Sequence, residues 1–187
     1  MNTFLESAIK QFEYYRRLGE KTFAQLKDGQ IHVKPSEESN SIYIIIKHLN
    51  GNMLSRFQDF LTSDGEKPWR NRDDEFEVFD NDSNYLGLWN EGWDLLLATL
   101  KSLTVDDLER TVYIRNEGHS VYEAINRQLC HYAYHVGQIV FIGKLLVNEE
   151  WKSLSIPKNK SQDYNTLKFS REKTNRHFTD HADEDIL

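Results

Sequence analysis

The sequence of 187 residues has few of the features that would place it among secreted, membrane or nucleic-acid-binding proteins. Cys130 is its one cysteine, so an intrachain disulfide and a thiolate metal cluster are both excluded. No apolar run approaches the roughly 20 residues that a spanning helix needs, and the N-terminus lacks the apolar core of a signal peptide. We therefore expect a cytoplasmic protein with no membrane partner.

Positive charge is also in short supply, with 23 basic residues against 30 acidic ones and a formal net charge of −7. This balance disfavours a nucleic-acid partner, which would need a basic surface. The phosphate-loop, dinucleotide and nucleophile-elbow motifs are absent. HYAYH is not the HExxH of zinc proteases, because Tyr132 stands where the glutamate is required. A di-iron site is disfavoured too, because neither His131 nor His135 has a glutamate three residues before it.

Apolar residues make up 39% of the chain and aromatic residues 12%, which is enough for a sizeable core. They recur at helical spacing in four long stretches. Asn40 or Ser41 is a plausible N-cap for the second stretch, and Ser120 opens the fourth with the capping-box pattern SVYE. The pattern predicts an all-α four-helix bundle. The predicted helices run from about Thr3 to Leu26, Ser41 to Leu61, Asn84 to Leu103 and Ser120 to Val147.

The bundle is expected to occupy residues 1–150 and to be followed by a C-terminal irregular arm and polar tail, residues 151–187. Residues 65–82 form a charged connection that is too long for a simple helix turn. In the next connection, TVYIR is expected to be extended and to turn at Asn116 to Gly118. His177 and His181 fall in the tail and are interpreted as solvated.

Two histidines of the fourth predicted helix, His131 and His135, stand four residues apart in HYAYHVGQI. They lie about 40° apart on one helix face, so both imidazoles could reach a single ion. His48 is the only other histidine in the middle of an apolar helix, and bundles commonly hold metals between facing helices. Three imidazoles plus solvent would form an open site. Core packing explains the same spacing, and the pattern alone leaves both readings open.

Two amides lie one helical turn beyond these histidines, Gln138 after His135 and Asn52 after His48. Either amide could orient a ligand or meet a bound water, or could simply face solvent. Cys130, which projects about 100° around the helix from His131, is predicted to be a buried and inert thiol.

The combination of His48 with HYAYHVGQI after SVYEAINRQL resembles the DinB-like (YfiT/DinB) superfamily of metalloenzymes over about residues 1 to 150. GNMLSRFQDFLTSDGEKPWRNRDDEFE and the LSIPK arm resemble an uncharacterised bacterial subgroup of it. The resemblance implies an up-down-down-up helix topology, a divalent transition metal held by His48, His131 and His135, with zinc or nickel favoured, and a homodimer.

The same resemblance implies a thiol S-transferase-like activity, in which a low-molecular-weight thiol activated at the metal attacks a small electrophile. Thiols of this kind carry carboxylates or sugars, so Trp69, Arg70 and Arg72 are candidate substrate-binding residues. A solvated loop with surface ion pairs explains these three residues as well. Two other functions remain open, a non-catalytic metal-binding or stress-response module and a metal-dependent hydrolase. No residue is assigned as a catalytic acid or base.

Overall fold

The computed structural model describes residues 3–78 and 83–181. Within these residues the fold is mostly helical, with one antiparallel pair of short strands, so the all-α prediction holds in its coarser form. No described helix has the length and apolar character needed to cross a membrane. The elements are α1 (Phe4–Phe23), α2 (Ile42–Phe57), α3 (Tyr85–Ser102), β1 (Thr111–Ile114), β2 (Glu117–Ser120), α4 (Val121–Val147) and α5 (Ser161–Phe169).

Side-chain caps begin the four long helices. Ser41 and Ser120 each accept a hydrogen bond from the backbone amide three residues on, which confirms the prediction for Ser120 and selects Ser41 over Asn40. At α4 the capping box is complete, since Glu123 accepts from the Ser120 amide at 2.8 Å. The second helix ends at Phe57, earlier than predicted, and Asp59 just beyond it has a positive φ of 50°. That left-handed conformation is incompatible with a continuing α-helix.

The core lies where α1 and α2 each pack against both α3 and α4. Aromatic rings of three helices meet at its centre. The centroid of the Phe12 ring lies 6.4 Å from that of Trp93 and 5.9 Å from that of Tyr132. All five residues from Ile42 to Ile46 are buried, so this end of α2 is enclosed on every side. This explains why the run Ile42–Ile46, of which four residues are β-branched isoleucines, is helical although local propensity alone would suit a strand.

A short hairpin holds the chain beside the start of α4. Its turn residues Arg115 and Asn116 both have positive φ, 56° and 61°, as a tight two-residue hairpin requires. Asp64, in the connection after α2, accepts hydrogen bonds from the backbone amides of both residues at 2.9 and 2.8 Å. It also accepts from the Glu66 amide at 2.7 Å. The carboxylate therefore ties the long connection to the hairpin turn.

The C-terminal segment is more ordered than the predicted irregular arm and solvated tail. It contains α5, which buries none of its residues, so no apolar period in the sequence could have revealed this helix. Further on, the His177 ring lies 3.0 Å from the Ser7 hydroxyl and Asp180 pairs with Lys10 at 2.7 Å. The prediction that His177 is solvated is therefore wrong, because the chain returns to α1. Residues 182–187 of the predicted tail lie outside the described residues.

Candidate metal centre

The three histidines selected from the sequence meet between α2 and α4. His131 Nε2 lies 3.3 Å from His48 Nε2 and 3.1 Å from His135 Nε2. One ring nitrogen from each of the three residues falls within 4.8 Å of the other two. His48 is buried, and the two α4 histidines are half-buried. The three imidazoles are therefore close enough to hold one metal ion.

Two of the rings are oriented by hydrogen bonds through their other nitrogen. His48 Nδ1 lies 2.8 Å from Glu75 Oε2, and His135 Nδ1 lies 2.8 Å from Gln138 Oε1. Both partners are acceptors, so each Nδ1 carries a proton and each Nε2 faces the cluster. Two nitrogens on one tetrahedral zinc are about 3.3 Å apart, given zinc–nitrogen bonds of about 2.0–2.1 Å. The donor set fits a divalent transition ion.

Burial also keeps the α4 imidazoles uncharged. It lowers the pKa of His131 to about 3, with the neighbouring His135 and His48 adding to the effect. Burial lowers the pKa of His135 to about 4, although the hydrogen bond that its Nδ1 donates to Gln138 opposes this shift. Both rings are therefore neutral near pH 7, and the neutral imidazole is the form that binds metals.

Glu75, which no pattern in the sequence indicated, is central to the site. Its two oxygens accept from Arg70 Nε at 2.7 Å and Nη2 at 3.0 Å, while Oε2 also accepts from His48. Burial would raise the pKa of Glu75, but the bonds from His48 and Arg70 outweigh it and hold the pKa below its usual value. A Cβ at Gly51 would collide with this carboxylate, so glycine at that position of α2 makes room for it.

The histidines form one wall of a cavity of about 480 Å³, a volume within the usual range for small-molecule sites. Its other walls come from α2, from α4, from the long connection and from the hairpin turn. Polar and aromatic groups share the lining. The lining residues other than the three histidines are Asn52, Arg56, Arg70, Arg72, Phe76, Arg115, Arg127, Gln128 and Tyr134.

The predicted substrate-binding residues separate in the structure. Arg70 and Arg72 line the histidine cavity. Arg72 stacks over the Phe76 ring, with its Cζ 5.0 Å from the ring centroid. Arg70 is committed to Glu75 and its side chain is only 2% exposed. Trp69, by contrast, is half exposed and lines a neighbouring cavity of about 370 Å³ that does not include the histidines. Its placement gives it no direct part in the histidine cavity.

The two amides that were expected to assist the histidines also differ. Gln138 contacts His135, and its Nε2 donates to the Tyr134 hydroxyl at 3.1 Å. Asn52 lines the cavity but accepts a hydrogen bond from the buried Tyr132 hydroxyl at 2.9 Å. Cys130 is exposed on α4, so the prediction of a buried thiol is wrong. Cys130 lies on a side of α4 that faces away from α2, and the spacing of residues in the sequence could not predict which side that would be.

The fold and the site define a class of helical protein with a three-histidine cluster able to hold a divalent ion at the wall of a small-molecule cavity. A family model described as "protein of unknown function (DUF1572)" matches residues 1–160, and the chain belongs to that family. No curated protein and no solved structure matches the chain.

Proposed function

We propose that the protein is a divalent-metal-dependent thiol S-transferase, with zinc or nickel held by His48, His131 and His135. The observation that carries the proposal is the convergence of three imidazoles, two of them oriented through Nδ1, on the wall of a cavity that a small molecule can enter. All three histidines line the cavity, so a substrate bound there lies next to the open position of an ion that they hold.

A bound divalent ion supplies one piece of chemistry, since it lowers the pKa of a nearby thiol so that thiolate exists at neutral pH. The chain supplies orientation: Glu75 and Gln138 hold the Nδ1 protons of His48 and His135, which fixes both tautomers. Phe76 packs 5.2 Å from the His48 ring and reduces access of water on that side. In the overall transfer, the thiol proton passes to solvent, sulfur bonds to the electrophilic carbon, and the leaving group departs with the electron pair.

We also propose that the family is related to the DinB-like superfamily and shares its up-down-down-up bundle. Contacts along the helix pairs support this. Asn50 bonds to the Leu88 carbonyl and the Phe57 carbonyl accepts from Thr99, so contacts advance together along α2 and α3, as in a parallel pair. The 27 residues between Phe57 and Tyr85 are long enough for the crossover that a parallel pair needs.

Helices α1 and α4 show the same parallel relation at their two ends. Near the start of both helices the Phe4 ring lies 4.7 Å from that of Tyr122, and near their ends Thr22 lies beside Gly143. Helices α2 and α4 run antiparallel. Asn52, the later residue in α2, bonds to Tyr132, whereas His48, the earlier residue, contacts His135, which comes later in α4.

A metal-dependent hydrolase fits the geometry less well, because it needs a carboxylate free to act as a general base. Glu75, the carboxylate that contacts His48, is held by both that ring and Arg70. A module that binds metal without catalysis would share the ligands but show no turnover.

The test is consumption of a low-molecular-weight thiol with a model electrophile by purified protein, alongside elemental analysis. We expect stoichiometric metal and turnover in the wild type, and loss of both in His48→Ala. His32→Ala, which changes an exposed histidine outside the cluster, should retain both. Bound metal without turnover would favour the non-catalytic module, and equal rates in all three proteins would remove the histidines from the mechanism.

We further propose that the protein is a homodimer that pairs through α4. Tyr134, Phe141 and Leu145 are each more than half exposed and fall within about 40° of one another around that helix. Light scattering should give twice the mass of the chain for the wild type and the monomer mass for Phe141→Glu. Phe169→Glu, which changes an exposed aromatic residue on α5, is the matched control and should remain dimeric. A monomeric wild type would contradict this proposal.

A further inference from the structure

The histidine cavity is unusually rich in guanidinium groups. Five arginines line it and come from four different parts of the chain. Arg56 is on α2, Arg70 and Arg72 are in the long connection, Arg115 is in the hairpin turn, and Arg127 is on α4. The chain as a whole is acidic, so this local concentration of positive charge runs against the overall composition. Like charges held together in a partly desolvated site repel one another unless counter-charges are present.

Two carboxylates offset part of this charge. Glu66 Oε2 is shared by three arginines, at 3.1 Å from Arg56, 3.5 Å from Arg70 and 3.2 Å from Arg115. Glu75 forms the paired contact with Arg70. Five guanidinium groups thus face two carboxylates, which leaves the cavity with an excess of positive charge.

Two of the five guanidinium groups have no carboxylate partner among the described residues. Arg72 lies over the Phe76 ring, and Arg127 Nη1 hydrogen-bonds to His119 Nε2 at 3.2 Å. They reach the same cavity from different elements, the long connection and α4. Each is exposed and keeps donors available to a ligand.

A buried amide at the same cavity also lacks a partner. Gln128 is only 3% exposed, and its Oε1 makes no hydrogen bond within the described part of the chain. A buried amide without a partner costs free energy. Its position one residue from Arg127, on the wall of the cavity, is therefore a second and independent indication that a polar ligand belongs there.

We infer that the histidine cavity binds the anionic group of a small substrate, with Arg72 and Arg127 as its charged donors, and that Gln128 Oε1, an acceptor, receives a hydrogen bond from a hydroxyl or N–H group of the same substrate. The anion is a carboxylate or a phosphate, because guanidinium pairs well with both. The inference rests on the proposed function in that the bound anion is part of the reacting thiol or electrophile. It makes Arg72 and Arg127 specificity-determining residues rather than parts of the metal site.

Calorimetric titration of the purified protein tests this without turnover. The probes are succinate, inorganic phosphate and succinamide, the last being the neutral counterpart of succinate. We expect at least one anion to bind, and Arg72→Gln and Arg127→Gln each to weaken it roughly tenfold. Arg110→Gln removes the same charge from an exposed residue outside the cavity and should leave the affinity unchanged. Metal content is measured in every variant, so that anion binding at the ion itself is recognised.

A preference for phosphate or for succinate would assign the chemistry of the anion and support the inference in either case. Equal affinity for succinamide, no binding of either anion, or full affinity in Arg72→Gln and Arg127→Gln would each overturn it. An equal loss in Arg110→Gln would also overturn it, by showing that only overall charge matters. Anion binding that depends on these arginines but is accompanied by no thiol consumption would count against the proposed transfer alone.

Discussion

At the scale of single residues, Glu75 links two kinds of chemistry in the site. One of its oxygens orients His48, and both accept from the buried Arg70. The carboxylate therefore acts on the metal cluster and on the charge of the cavity at once. A carboxylate behind a histidine ligand raises the basicity of the ring and fixes its tautomer.

Replacing Glu75 with glutamine should weaken metal affinity by about 10- to 100-fold, because the neutral amide cannot stabilise the Nδ1 proton of His48 equally well. Competition with a chromophoric chelator measures the affinity. Glu77→Gln changes an exposed glutamate two residues on and is the control. Equal affinities in the two variants would mean that Glu75 serves only Arg70.

The residue scale also shows how far spacing can predict a site. The pair His131 and His135 is set by one helical turn, so sequence could place both on one face. His48 followed from its apolar surroundings. Glu75 lies 27 residues beyond His48 in an irregular connection, and no periodicity relates the two. Its role depends on how that connection folds back across α2.

At the scale of elements, helix packing depends on where two backbones approach closely. Gly19 of α1 lies against the buried ring of Trp89 on α3, and a Cβ there would collide with that ring. Gly137 of α4 has nothing within 4 Å of the same position. Both glycines are helical, so alanine at either position makes the same change in backbone freedom. A difference between the two variants therefore reports the packing against Trp89.

Gly137→Ala should raise the free energy of unfolding by about 0.5–1 kcal/mol, the usual gain for alanine over glycine in a helix. Gly19→Ala makes the same backbone change but forces Trp89 to move, and it should lower the free energy by about 1–2 kcal/mol. Urea unfolding followed by circular dichroism measures both. If both substitutions stabilised the protein, the close contact of α1 with α3 would be absent.

The tie between the long connection and the hairpin should depend on pH. Burial would raise the pKa of Asp64, but bonds from the Asn116, Glu66 and Arg115 amides outweigh it and lower the pKa below 3.8. With a lowered folded-state pKa, the stabilisation by this carboxylate is present above about pH 3.8 and lost as the pH falls through the folded value.

Asp64→Asn should therefore destabilise the protein at pH 7, and the difference from the wild type should shrink as the pH falls below 3.8. Chemical unfolding of both proteins between pH 7 and pH 3 measures it. Asp73→Asn, at an exposed aspartate in the same connection, should show a much smaller difference at pH 7. A difference that grew toward acid would contradict a lowered pKa of Asp64 in the folded protein.

At the scale of the whole molecule, the histidine cluster joins α2 to α4, which are 83 residues apart along the chain at His48 and His131. A metal that binds only the folded state should therefore stabilise the entire fold. At free metal 100 times the dissociation constant, the expected gain is about 2.7 kcal/mol.

Thermal unfolding with and without added zinc or nickel should show this gain as a higher midpoint in the wild type. His131→Gln should show almost none, because one ligand is lost. His32→Gln should respond as the wild type does. An identical response in all three proteins would place the stabilising metal elsewhere.

The sequence by itself determined the four long helices, the cap at Ser120, the start of the second helix at Asn40 or Ser41, and the shared face of His131 and His135. These features depend on interactions within a few residues, and local spacing records them. Only the tertiary structure decided that Trp69 faces a different cavity, that Glu75 supports His48, and that arginines from four segments converge. Those outcomes depend on irregular connections held by distant contacts such as the bonds from Asp64 to the hairpin turn, which no local pattern records.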